Sequence, residues 1–292
     1  MHKLLVVGST GMLGQAIMRN ANDFGFDVTG VARSNADICL HLGDTVLLEE
    51  AVRQAKPDVV INCAAIVNLA DCENEPAKAY LINSRPAGIL ADLSLRESFK
   101  LVYISTDHFF DENGRYAHKE NDPIVLVNEY ARTKYIGECF SGVNSASLIL
   151  RTNIVGHRNK KDSPTFVEWA INSLINRIPM TLFDDVFTSS IHVDAFSKAM
   201  FELILKDISG IHNLASSEVS SKAEFIQSLA DGLGIKLDWT TNGSGKMQNP
   251  PRAVSSGLDV TKTEELLGYK LPDLNETIKD IVDTHQNLLS FS

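Results

Sequence analysis

Long apolar runs are missing from this chain. No stretch of the 292 residues approaches the ~18 consecutive apolar residues of a membrane-spanning helix. The first apolar stretch, "KLLVVG" at residues 3–8, begins with no basic segment and extended apolar core ahead of it, so no secretory leader is expected. Cysteine is scarce: Cys39, Cys63, Cys72 and Cys139 lie far apart with no C-x-x-C pair. That argues against a disulfide framework and fits reduced thiols in the cytoplasm. The eight histidines form no H-E-x-x-H or other ligand spacing, so no catalytic metal is assigned, while a loosely held Mg²⁺ at a subunit contact stays open. Positive charge is also in deficit, 27 Lys and Arg against 37 Asp and Glu, a formal net charge of −10. A nucleic-acid or anionic-membrane partner needs a positive field and is not expected, although a local basic pocket for a phosphorylated ligand is compatible with it. Internal repeats and low-complexity segments are absent.

What remains is ordinary globular chemistry, 44% hydrophobic and 22% charged. Short runs rich in Val, Ile and Leu alternate with amphipathic stretches. "KLLVVG" (3–8), "DVTGVA" (27–32), "DVVINC" (58–63), "KLVYIS" (100–105) and "SLILR" (147–151) read as strands buried on both faces. Helical stretches are expected at 11–24, 45–56, 76–98 and 130–142. This alternation predicts an α/β fold, a doubly wound parallel sheet with helices on both faces.

After residue 151 the rhythm changes. Helices are expected at 165–178 and 194–206, with "PMTLFDDVFTSS" a loop between them and "IHNLA" (211–215) a strand returning to the sheet. "TTNGSGKMQNPPR" (240–252) reads as an exposed, mobile connection. "DCENEP" (71–76) reads as a solvated loop and helix start. A last helix is expected to be capped by Asp273 with Glu276, with Ile278, Ile281, Val282 and Leu289 on its apolar side. The expected organisation is a dinucleotide-binding domain over 1–160, completed by 190–215, and a small interleaved C-terminal substrate part over 161–189 and 216–292.

"GSTGMLG" places Gly8, Gly11 and Gly14 between the first strand and the first helix. A tight turn, close approach of backbone to a pyrophosphate and close helix–strand packing each require glycine there, and the helix N-terminus favours phosphate. The loop residues Thr10, Met12 and Leu13 belong to the same candidate cofactor site. At the end of the second strand an acid would hold the ribose 2′-OH of NAD, whereas arginine accommodates the 2′-phosphate of NADP. "VARS" presents Arg33 and Ser34, which favours NADP(H) over NAD(H), although Arg33 also reads as a surface charge. Asp44 in "LGDT" is a candidate for the adenine amino group or an N-cap for the helix beginning at Thr45.

"YARTK" puts Tyr130 and Lys134 on one helix face. A free phenol titrates near ~10 and exchanges protons poorly at neutral pH. A nearby ammonium and a positive nicotinamide favour phenolate and bring that value toward the working range. Ser105 and Thr106, at the C-terminal end of a predicted parallel strand, stand where open α/β sheets bind ligands. Tyr-xxx-Lys and Ser-Thr are each common as packing or a turn. In this order, behind a glycine loop, they point to a reductive site.

"GSTGMLG", "INCAA", "YISTDHFFDENG", "NEYARTKYIGE", "LILRTNIVG" and "PPRAVSSGLDVTKTEELLG" together resemble the extended short-chain dehydrogenase/reductases, and within them the dTDP-4-dehydrorhamnose reductase family. The resemblance implies a Rossmann-like fold, a homodimer, and reduction of the C4 keto group of a nucleotide-linked 4-keto-6-deoxy sugar. It implies Thr106, Tyr130 and Lys134 as catalytic, and Asp44, Cys63, Ala64 and Ala65 as cofactor-lining. His108 stands where the family usually has Tyr, and "FTSS" (187–190) where it has "GAPT", which leaves the sugar open. "TDH" lacks the Glu of the related dehydratases, so elimination of water is not expected. Arg252 in "PPR" is placed for a diphosphate, or is a surface arginine. His192 and His212 read as core histidines, and Asn83 as either structural or cofactor-adjacent. A sugar-nucleotide epimerase, and a non-catalytic dinucleotide-binding subunit like that of methionine adenosyltransferase, are the alternatives.

Overall fold

In a computed structural model of the chain, residues 1–110, 114–160 and 163–290 are described. Asp111, Glu112 and Asn113 of "YISTDHFFDENG", and the start of the expected 161–189 segment, lie outside the described residues. Seven parallel strands form the central sheet, in the spatial order Gly210–Asn213, Leu148–Arg151, Lys100–Ile104, Val59–Asn62, His2–Val7, Phe26–Ala32, Ile38–Cys39. The first three strands in the chain run outward one way from His2–Val7, and the other four run the other way from Val59–Asn62. The gap between these two strands is the topological switch point, where such sheets bind ligands.

The burial of these strands explains their composition. Side chains alternate across a strand, and here both faces are covered. Leu4, Val6, Ile61, Val102 and Leu150 enter one apolar cluster, while Leu5, Val7, Val60 and Leu101 enter another on the opposite face. Burying each such side chain stabilises the fold by about 1.5–3 kcal/mol. The short Ile38–Cys39 strand was not expected, because two residues carry no readable period.

Several boundaries differ from expectation for local reasons. The expected 76–98 helix is two, Pro76–Asn83 and Arg85–Glu97, because Pro86 has no N–H to continue the ladder. The 11–24 helix is α-helical over Met12–Asn20 and tightens to a 3-10 turn over Ala21–Phe24. Much of "DCENEP" falls in a short helix, Leu69–Asn74, capped by Asn68. The supposed loop at 180–190 holds the strands Thr181–Phe183 and Phe187–Thr188, and Ser190–His192 follows. Part of the 240–252 connection is tied down, since Thr241–Gly243 pairs with Thr181–Phe183.

A second core lies outside the sheet. Val167, Ile171 and Leu174 of the Phe166–Ile175 helix pack with Phe225 and Leu229 of the Lys222–Gly232 helix and with Ile278 and Ile281 of the Leu274–Ser290 helix. Asp273 caps the last helix reciprocally with Glu276 as expected. Leu289, expected on the apolar side, is 63% exposed, because the last helical turn runs past the core that buries Ile278, Ile281 and Val282. A four-stranded sheet, Ser220–Ser221, Phe187–Thr188, Ser255–Leu258 and Ala117–His118, joins this part to the loops above the central sheet.

Candidate active site

The glycine loop follows the central strand directly. Gly8 has φ +98°, and a Cβ there would stand 2.8 Å from the Ala64 nitrogen. A Cβ on Gly14 would stand 2.1 Å from the Gly8 carbonyl oxygen. The first is a backbone conformation that suits glycine, and the second is the close approach of helix to turn. Gly11 is the N-cap of Met12–Asn20 and offers no side chain to the free N–H groups of the first turn. Those groups and the helix dipole are what a phosphate binds. Thr10 is exposed and Met12 half-buried, whereas Leu13 is buried beneath the turn. The half-buried Cys63, Ala64 and Ala65 form the facing wall, with the Cys63 thiol donating to the Val7 carbonyl at 3.2 Å. Burial pushes that thiol up to about 12, against the pull of Lys134, so it is an inert lining group.

Arg33 and Ser34 are exposed just beyond the Phe26–Ala32 strand. Asp44 accepts from the Leu47 N–H at 3.1 Å and is the N-cap of Thr45–Ala55, the structural role the sequence left open. Asn83 is likewise bonded structurally: its side chain exchanges two hydrogen bonds with the Ile66 backbone and donates to the Thr133 hydroxyl. It therefore ties the wall after Val59–Asn62 to the helix that carries Tyr130. His192 and His212 are buried, as core histidines should be.

That helix, Glu129–Ser141, starts at Asn128, whose side chain accepts from the Ala131 N–H at 2.8 Å and donates to the Pro251 carbonyl at 3.0 Å. Gly137 lets it lie against the sheet, because a Cβ there would meet the Tyr103 hydroxyl at 2.2 Å. Glu138 secures its far end in a buried pair with Arg151, at 2.5 and 3.1 Å, and also accepts from Ser105 at 2.7 Å. Lys134 consequently points into the site. Its ammonium donates to the Ile104 carbonyl at 2.6 Å and lies 4.3 Å from the Tyr103 ring centre. Burial pulls Lys134 down to about 7, with Cys63 and Glu138 acting against it.

Tyr130 is half-buried on the same face, edge-on to His108 at 5.5 Å between ring centres. Burial raises its phenol well above the ordinary value; a hydrogen bond with Thr106 lowers it and the Asp107 charge raises it further. Burial is the largest influence on the phenol, and the Lys134 ammonium donates to the Ile104 carbonyl. The phenol is therefore held protonated.

Thr106 is buried at the end of Lys100–Ile104, its hydroxyl donating to Asp107 at 3.2 Å and accepting from the His108 N–H at 3.3 Å. Asp107 also accepts from Asn153 at 2.7 Å. Burial holds His108 below its usual value; Asp107 pulls it up, and Arg252 and Lys222 push it down. The exposed Arg252 is thus near enough for its charge to act on His108. Lys222 is a member of this group that the sequence reading missed. It opens the Lys222–Gly232 helix far along the chain, and no local motif marks it.

Residues 1–287 match the family model described as the RmlD substrate binding domain. The chain belongs to that family. It is a branch of the extended short-chain dehydrogenase/reductases, as the motifs implied. Among its relatives is the probable low-salt glycan biosynthesis reductase Agl14 of Haloferax volcanii, 29% identical over 94% of this chain and 95% of that one. A hypothetical dTDP-4-dehydrorhamnose reductase from Sulfolobus tokodaii is 27% identical with a TM-score of 0.82, covering 94% and 98% of the two chains. The dTDP-4-dehydrorhamnose reductase of Bacillus anthracis, solved in complex with NADP, shares the fold at a TM-score of 0.87 and 22% identity over 97% and 99%. Within this RmlD-family fold, Thr106, Tyr130, His108 and Lys134 meet at the C-terminal edge of the sheet beside the glycine loop, while Arg33 and Ser34 stand out from it along the second strand.

Proposed function

We propose that this chain is an NADP(H)-dependent reductase that converts the C4 keto group of a nucleotide-linked 4-keto-6-deoxy sugar to an alcohol. The observation that carries this reading is the meeting of Thr106, Tyr130 and Lys134 beside the glycine loop. The loop fits a dinucleotide: Gly8 and Gly14 leave no room for a Cβ, and the helix behind them is uncapped. Bound there, a nicotinamide dinucleotide supplies the hydride for the keto carbon. Tyr130, kept protonated by burial, donates its proton to the oxygen as negative charge develops on it. Thr106 exchanges its bond to Asp107 for one to the same oxygen. Lys134, drawn down to about 7 by burial, exchanges its bond to the Ile104 carbonyl for one to the nicotinamide ribose and, when protonated, supplies positive charge to the phenolate left behind. Asp107 is 1% exposed, with both carboxylate oxygens engaged, which disfavours it as an acid for eliminating water.

The decisive assay follows NADPH consumption with a panel of nucleotide-linked 4-keto-6-deoxy sugars generated in the same tube, wild type beside Tyr130→Phe. Consumption should depend on the sugar and fall by about 10²–10⁴-fold in the variant, the usual worth of a positioned proton donor. An epimerase returns its cofactor unchanged and a regulatory subunit turns nothing over, so cofactor binding without net consumption would overturn the reading.

Preference for NADP(H) is part of the proposal and rests on Arg33, exposed where the 2′-phosphate would lie. Arg33→Ala should weaken NADPH at least tenfold more than NADH in a fluorescence titration; equal losses would remove the arginine from that role. The proposal also takes 1–160 with 190–215 as the dinucleotide domain, the remaining segments as the substrate side, and a cytoplasmic homodimer supplying sugars for a surface polysaccharide. Among the described residues no helix is long and apolar enough to cross a membrane.

A further inference from the structure

Among the described residues, the buried Lys and Arg side chains are hydrogen-bonded. Arg151 is bound by Glu138 and by the Glu120 carbonyl, and Lys134 by the Ile104 carbonyl. Lys222 breaks this pattern. It is at most half-exposed, yet its ammonium has no hydrogen bond and no ion pair among the described residues; only its backbone N–H is bonded, to the Val186 carbonyl. Its ammonium lies against a pair of rings, with Nζ 4.8 Å from the Phe166 centre and 5.9 Å from the Phe225 centre. The rings support the stem and attract the charge, but they leave the ammonium's three donors unmatched.

The Lys222 N–H bonds the Val186 carbonyl and the Phe187 N–H bonds the Val254 carbonyl, so Lys222 and the segment carrying Arg252 flank one strand. The preceding Pro251 is held by Asn128 at the start of the helix that bears Tyr130. The charges of Asp107 and Arg252 act on the ammonium, and its own charge reaches His108. Asp107 attracts this ammonium through space but makes no direct hydrogen bond or ion pair with it; its two oxygens accept from Thr106 and Asn153. The Arg252 guanidinium is a second cation without a side-chain partner among the described residues, and each of the two repels rather than satisfies the other. Two cations on the flanks of one strand, neither with a hydrogen-bonded side-chain partner among the described residues, favour an anion that joins them. A diphosphate carries charge and acceptors enough for both.

We propose that Lys222 is the second arm of the substrate's anion subsite, so that its ammonium and the Arg252 guanidinium grip the diphosphate of the nucleotide sugar and deliver the sugar to His108 and Tyr130. This rests on the nucleotide-sugar reading above and adds a residue to it. The ammonium's own titration supplies a signature. Burial holds Lys222 down to about 8, with Asp107 raising it and Arg252 lowering it, so the free protein loses this charge between pH 7 and pH 9. The diphosphate of a nucleotide sugar is fully ionised across that range and a free nucleoside diphosphate gains rather than loses charge over it, so a fall in affinity follows the lysine.

The test is calorimetric titration of thymidine diphosphate and uridine diphosphate into protein saturated with NADP⁺, with thymidine as the uncharged control. In the wild type, nucleoside diphosphate affinity should fall about tenfold from pH 7 to pH 9. Lys222→Met keeps an apolar stem against the two rings; it should bind at least tenfold more weakly at pH 7, with no further decline to pH 9 and unchanged NADP⁺ affinity. Lys222→Arg, charged throughout, should bind well with a flat profile. Wild-type affinity in Lys222→Met at both pH values overturns the assignment of Lys222 and leaves the substrate reading standing. Failure of the cofactor-loaded wild type to bind either diphosphate removes the substrate reading and this subsite with it.

Discussion

His157 is 8% exposed, its ring stacked on His285 at 5.8 Å, and neither of its nitrogens has a hydrogen-bond partner. Burial pulls it down to about 4, with His285 and His192 pushing the same way and Glu168 against. A histidine depressed on folding is neutral in the native state and protonates more readily in the unfolded chain. Its contribution is therefore complete above the unfolded value of about 6.5 and is lost as pH falls from there toward 4, by up to about 3 kcal/mol. Urea denaturation at pH 7 and pH 5 should show a clear loss for the wild type and a smaller one for His157→Phe; parallel losses would place the acid sensitivity elsewhere. At this scale legibility depended on sequence distance. Tyr130 and Lys134 were readable because a helix makes neighbours of residues four apart. Lys222, Asn153 and Asp107 meet only after the chain has folded, so nothing local announces them. The upward push of burial on the Tyr130 phenol is likewise a tertiary property that no local motif carries.

Strands and helices were more readable, because buried parallel strands must be apolar along their whole length. Central strands such as Val59–Asn62 and Lys100–Ile104 begin or end within one residue of expectation. Elements of two or three residues, such as Phe187–Thr188, carry no period and were taken for loop. The helix bearing Tyr130 owes its position to the Arg151–Glu138 pair, at 2% and 3% side-chain exposure. Removing one member leaves the other charged and buried, so Arg151→Met should cost about 3–5 kcal/mol in urea denaturation. Arg151→Met with Glu138→Leu should recover most of that loss. A double variant no better than the single one would show that the ions matter only through their packing.

Across the whole molecule, the doubly wound parallel class followed from alternation, while the strand order and the switch point between His2–Val7 and Val59–Asn62 came only with the structure. What alternation could not convey is how the C-terminal part is threaded. The chain leaves the sheet at Arg151, contributes the Phe166–Ile175 helix to the second core, and returns to the sheet edge only at Gly210. Apolar pattern marks the return, but the pairing of Thr181–Phe183 with Thr241–Gly243 depends on residues too polar and too short to stand out.

The return strand has a consequence for how the protein is made. Until Asn213 has left the ribosome, Leu148–Arg151 is an open edge, a row of unpaired backbone groups on an apolar strand that is ready to pair with any other exposed chain. Some 60 residues must be synthesised in that interval, several seconds at cellular rates of about 5–20 residues per second. The nascent sheet waits for its last strand, and that interval is when the chain is most exposed to misassociation.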